Sequence, residues 1–206
     1  MYGFPKETEK TGSAPLRAIA AKINVQYSLL ESDIEKLEQT NIISTKTIPS
    51  LGESEKVKAI YVFQIDVKRQ NYNRDVVAKI ANAIAAKAIF IIRYDGKSHV
   101  LLNYEGSPIR SEWESDLQFV LQGHTLDTVW ENLVKIVGQI NTEHNYTLIQ
   151  QIKVNELKAR LDKEIVMMEK KARAEKQPAR QRALFQQLQA LKSDYQNKIN
   201  ELVSTF

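Results

Sequence analysis

The chain has 206 residues, 43% of them hydrophobic, which suits one α/β domain with an extension or two small domains. Its 29 Lys/Arg and 25 Asp/Glu leave a net charge of +4, and no window approaches the ~20 consecutive apolar residues of a membrane-spanning helix. Cysteine is absent, which excludes a disulfide framework and any thiolate metal site. The start, MYGFPKETEK, lacks the apolar stretch of a secretory leader, so a cytoplasmic location is expected.

In chain order, an irregular lead with Gly3, Pro5, Gly12 and Pro15 precedes a short helix expected over 16–23. A second helix is marked by the capping-box spacing of Ser28 and Glu31 and by the stripe Leu29, Leu30, Ile34, Leu37. Residues 41–48, rich in Ile and Thr, read as a short strand that ends at the turn residues Pro49, Ser50 and Gly52. The segment 57–67 alternates, with Tyr61, Phe63, Ile65 and Val67 on one face. Ile60, Val62, Gln64, Asp66 and Lys68 fall on the other face, which is apolar at first and polar toward its end.

A helix over 73–86 follows, with Val76, Val77, Ile80, Ala83 and Ile84 directed at a sheet. Two apolar runs, 88–94 and 99–104, flank Asp95-Gly96, a dipeptide suited to a tight hairpin turn. One or two further strands are expected over 109–120, where Leu117, Phe119 and Leu121 alternate. A helix beginning at Thr125 or Asp127 carries Leu126, Val129, Trp130, Leu133, Ile136, Val137 and Ile140. Trp130 belongs to the apolar face of that helix, whereas Trp113, between Glu112 and Glu114, reads as a packed residue or a binding anchor.

The composition changes at Thr147. From there to the end, 12 Lys/Arg stand against 7 Asp/Glu, a net +5, while the first 146 residues carry −1. Val154, Leu157, Leu161 and Met168, then Leu184, Leu188, Leu191, Tyr195 and Leu202, recur at heptad-like spacings. Pro178 opens helices but breaks their interior. Two helices joined near 175–178 and folded back on each other are therefore expected, or else one kinked helix paired with another subunit. Leu157, Leu161, Met168, Leu184, Leu188, Leu191 and Tyr195 are the expected interface residues. Lys170, Lys171, Arg173, Lys176, Arg180 and Arg182 lie within 13 residues that hold one acid, Glu175. They would crowd the hairpin tip and suit phosphate or an acidic partner. No aromatics interleave them, so base stacking gains no support.

The segments Phe4-Pro5, VKAIYVFQIDVK, AIAAKAIFII, SEWES (111–115), LDTVWENLV (126–134) and EKKARAEKQPARQRALFQQLQALK follow one another along the chain. Taken in that order they resemble a bacterial family catalogued as a domain of unknown function, typically encoded beside restriction-type helicases and DNA methyltransferases. Ala85-Ala86-Lys87 stands where that family often has an Ile-Pro step. Asp66-Val67-Lys68 stands where relatives tend to have Glu-x-Lys. The resemblance implies a role in DNA modification or phage defence, with a helicase or methyltransferase as partner. It assigns no active site.

Asp66 and Lys68 also fit one half of a metal-dependent nuclease site, in which carboxylates hold Mg²⁺ at a strand end and a lysine two residues on assists. The same pair fits the wet end of an ordinary strand. The upstream carboxylates available are Glu53 and Glu55 in a loop, and Glu31 or Glu35 on the earlier helix. His99, His124 and His144 make no HxH or HxxxH pair, so no histidine metal site is expected. Neither GxGxxG nor GxxxxGK[ST] nor GxSxG occurs. The expectation is a mixed, largely antiparallel α+β sheet of about four or five strands over 1–146, with a coiled-coil-like helical hairpin over 147–206. Its expected role is that of a non-catalytic accessory subunit without a cofactor, acting on a larger enzyme or on a second copy of itself. The alternatives are an Mg²⁺-dependent endonuclease using Asp66 and Lys68, and a nucleic-acid-binding module working through the basic tip.

Overall fold

The structure, a computed structural model, describes residues 2–13, 15–84, 86–142 and 146–206. Ala85 and His144 lie outside the described residues. The chain divides into two compact units, Met1–Ile140 and Asn141–Phe206.

The first unit is built on a six-stranded mixed sheet, one or two strands more than expected, with the strands in sequence order. The strands are β1 (Glu9–Ser13), β2 (Ile34–Ile43), β3 (Ile60–Val67), β4 (Lys87–Tyr94), β5 (Lys97–Tyr104) and β6 (Ser107–Arg110). Neighbours pair antiparallel except β3 and β4, which are parallel. Parallel neighbours need a crossover, and here it is the helix α3 (Arg74–Ala83). The Asn73 side chain caps α3 by accepting the N–H groups of Asp75 and Val76. Asp95 and Gly96, both at positive φ, form the tight turn between β4 and β5.

Strand alternation sorts the core into two layers. Leu37, Ile65, Val67, Phe90, Ile92 and Leu101 face α1 (Leu16–Lys22), α2 (Tyr27–Asp33) and α3, which contribute Ala20, Leu30, Val76, Val77 and Ile80. The opposite face buries Ile60, Val62, Ile89, Ile91, Val100 and Leu102. There α4 (Leu126–Gly138) packs on β5 and β6. Thr125 caps α4 in a capping box with Thr128.

Several expectations fail in this unit: the expected irregular lead holds β1, and α2 starts at Tyr27 with Gln26 as its N-cap and no side-chain cap bond, so Ser28 and Glu31 form no capping box. Ile34 and Leu37 belong to β2, not to a helix, and α2 ends at Asp33. Asn41 to Ile43 close that strand, and Ser44 with Thr47 forms a turn. Of the strands expected over 109–120 only the start is met: β6 stops at Arg110, and beyond it Glu114 makes a single bridge to Ser98. Phe119 is held instead by its N–H bond to the Tyr2 carbonyl at 2.8 Å and by stacking on Phe4 at 5.0 Å.

The second unit is a helical pair, α5 (Leu148–Ala174) and α6 (Pro178–Ser204). Lys192 pairs with Glu169 at 2.6 Å, and the Gln181 amide reaches the Ala172 carbonyl at 3.3 Å, so α6 runs back along α5. Leu161, Ala172, Leu188, Leu191 and Ile199 are buried in this pair. Among the described residues, no helix is long and apolar enough to cross a membrane.

Candidate functional site

Two regions carry the residues singled out in the sequence. One is the end of the sheet face that α4 leaves uncovered, and the other is the tip of the hairpin.

On the sheet, register sets the geometry. Lys36 of β2 pairs with Asp66 of β3, Asp66 with Arg93 of β4, and Arg93 with Ser98 of β5. Cross-strand partners share a face, so these four residues form one polar row. The row borders a cavity of about 1110 Å³ that is also lined by Tyr2, Glu9, Glu35 and Asp116. Asp66 accepts the Arg93 Nε–H at 2.8 Å and the Gln64 amide at 3.2 Å and 3.4 Å. Burial pulls the Arg93 pKa down, but the Asp66 charge and the Tyr2 hydroxyl outweigh it and hold the guanidinium above its ordinary range. Arg93 is therefore the cation beside Asp66.

Lys68 is placed elsewhere. Its Nζ donates to the Glu31 carbonyl at 2.6 Å, and its backbone N–H donates to the Asp33 carbonyl at 2.8 Å. It caps the end of α2 and does not line the cavity. Glu35 lines the cavity from β2, not from a helix. Among the described residues, no three His, Asp or Glu side chains are grouped to hold a metal ion.

Two polar residues that were not among the sequence's site candidates organise the surrounding loops. Asp33 is only 2% exposed and accepts Arg69 Nε at 2.6 Å and the Asn73 N–H at 2.8 Å, which pins the loop from β3 to α3. Asp127 accepts the N–H groups of Glu55, Lys56 and Val57. Its slight burial pushes its pKa up, but these donors prevail and lower it. On the other face of the sheet, the buried His99 pairs with the Tyr72 hydroxyl at 2.9 Å and meets the Trp113 ring at 4.4 Å. Trp113 is thus packed against the core cluster. Trp130 is buried on α4, with its indole N–H unpartnered among the described residues.

At the hairpin tip, Lys170, Lys171, Arg173, Lys176, Arg180 and Arg182 are all exposed. The ion pairs of the two helices are Lys192–Glu169 and Lys198–Asp194, so none of the six forms one among the described residues. The turn between the helices is braced. Gln181 donates to the carbonyls of Ala172 and Glu175, and the Glu175 carboxylate accepts the Gln177 N–H at 2.9 Å. Of the expected interface residues, Leu161, Leu188 and Leu191 are buried, while Leu157, Met168, Leu184 and Tyr195 are half-buried.

Fold and site together define a mixed α+β domain followed by a basic-tipped helical hairpin. The family model described as "Domain of unknown function (DUF4391)" matches residues 18–194, so the chain belongs to that family. No curated protein and no solved structure matches the chain.

Proposed function

We propose that this chain is a non-catalytic accessory subunit that docks through its C-terminal hairpin onto a larger DNA-processing enzyme. The observation that carries this reading is the braced tip, where six exposed cations, none in an ion pair among the described residues, crowd a turn of defined geometry. Fixed positive charge of this kind steers a protein toward an acidic surface and sets its orientation there. The finer assignment rests on the family resemblance: a bacterial DNA-modification or phage-defence system, with a helicase or methyltransferase as partner. Direct contact between the tip and DNA phosphates is the second reading, supported by the same cluster. The metal-dependent nuclease has less support, because Arg93 occupies Asp66 and Lys68 is committed to α2.

The test is a pull-down from the native host with the full chain and with a chain lacking residues 147–206. The full chain is expected to retain a helicase or methyltransferase that the shortened chain loses. Equal recovery of partners by both sinks the proposal. Recovery of nucleic acid alone favours the second reading.

A further inference from the structure

Beyond the hairpin, the polar row on the sheet has the features of a ligand site in its own right. Asp66 and Arg93 lie near the carboxyl ends of the parallel strands β3 and β4, where open sheets with helices on both faces hold their ligands. Asp66 fixes the direction of the guanidinium through Nε, with Gln64 bracing the carboxylate. A guanidinium carries five donors in a planar fork, so the bonds to Asp66 and Tyr2 leave donors over. Beside it on β5, Ser98 is only 8% exposed and lines the cavity. Its hydroxyl has no hydrogen-bond partner among the described residues. It stands at the cavity wall, directly across the strand pair from a preset arginine.

The cavity edge fixes the rest of the ligand. Glu9, Glu35, Asp95 and Asp116 are exposed carboxylates around it. The facing lysines are Lys97 and Lys36, and Glu38 already holds Lys36 at 2.8 Å. This surplus of acid opposes a polyanion and favours an ammonium or guanidinium group. We propose that the Arg93–Ser98 corner binds a single carboxylate carried by an otherwise neutral or basic ligand, such as the C-terminal end of a basic peptide. The planar fork of Arg93 matches a carboxylate, and Asp66 is the positioning residue. The site lies in the first unit and does not rest on the hairpin reading.

NMR titration of the isotope-labelled full chain tests this. The probes are a short lysine-containing peptide with a free C-terminal carboxylate, the same peptide as its C-terminal amide, and inorganic phosphate. The free-acid peptide should shift the Arg93 Nε–H and the Ser98 amide saturably, and the amide should bind about tenfold more weakly or worse. Ser98→Ala and Arg93→Gln should each weaken the free acid toward the level of the amide. Asp66→Asn should weaken it too, and should move the Arg93 Nε–H resonance even without peptide. Three results overturn the proposal: no saturable shift with the free acid, equal binding of acid and amide, or tighter saturation of the same resonances by phosphate. The comparison of acid with amide uses the unaltered chain, so it decides the matter even where a variant fails to fold.

Discussion

Burial pushes the His99 imidazole down to about 4, and the nearby Arg74 and Arg110 charges push the same way. The folded chain therefore keeps His99 neutral in a range where the unfolded chain, with its ordinary value of 6.5, already binds a proton. Stability tied to His99 is fully present above pH 6.5 and declines as the pH falls toward about 4. One such group changes stability by at most about 1.4 kcal/mol per pH unit. His99→Gln keeps a side chain able to bond Tyr72 but removes the titration. Urea midpoints of both chains between about pH 7 and about pH 4.5 should show a shallower acid limb for the variant. Parallel limbs would show that His99 does not titrate on unfolding. Other single residues show what a sequence can and cannot reveal. Period two places Asp66 and Lys68 on one face, but β3 ends at Val67, so Lys68 leaves the alternation before it applies. Arg93 became a partner of Asp66 only through the parallel register of β3 and β4, which no spacing in the sequence encodes.

At the scale of elements, the legible parts were those whose local pattern agreed with their surroundings. Asp95-Gly96, the break at Pro178 and the stripe of α4 stand where expected, except that Ile136 is 43% exposed and Ile140 lies beyond the helix. The start of β2 misled for a definite reason. A bulge between Ile34 and Lys36 puts Ile34 and Leu37 on the same face of the strand, opposite Val67 and Ile65. An extra residue in a strand turns a spacing of two into three, and three is also a helical spacing. The alternation over 117–121 misled because Phe119 is fixed by Phe4 and Tyr2, not by a neighbouring strand. The hairpin gives a direct comparison between seam and surface. Leu161 and Leu188 are buried in the pair, whereas Met167 is 56% exposed. Truncating either leucine to alanine should cost about 2–4 kcal/mol, and Met167→Ala should stay within about 0.5 kcal/mol. Urea unfolding followed by helical circular dichroism measures both. Equal, small losses at all three positions would mean that the seam does not hold the helices together.

Over the whole molecule, charge is distributed more unevenly than the net +4 suggests, since residues 147–206 carry +5 and the first 146 carry −1. Half of the basic residues in that last segment are the six at the tip. Replacing all six with glutamine would change the net charge from +4 to −2. Because none of the six is ion-paired among the described residues, the folded state has little to lose. Exposed charges without such partners usually change stability by less than about 0.5 kcal/mol. Association is a different matter, because like charges held close together repel until an acidic surface neutralises them. The six-fold variant is therefore expected to unfold at nearly the same urea concentration as the original chain. It should also lose the salt-sensitive part of its binding to an acidic partner or to DNA. If the partner is DNA, each neutralised phosphate contributes a slope of about −0.9 in log K against log salt, so most of the slope should vanish with the cations. Binding measured by fluorescence anisotropy over a salt series, beside urea unfolding of the same samples, separates the two effects. An unchanged slope would move the contact away from the tip, and a collapsed fold would show that the cations hold the hairpin itself.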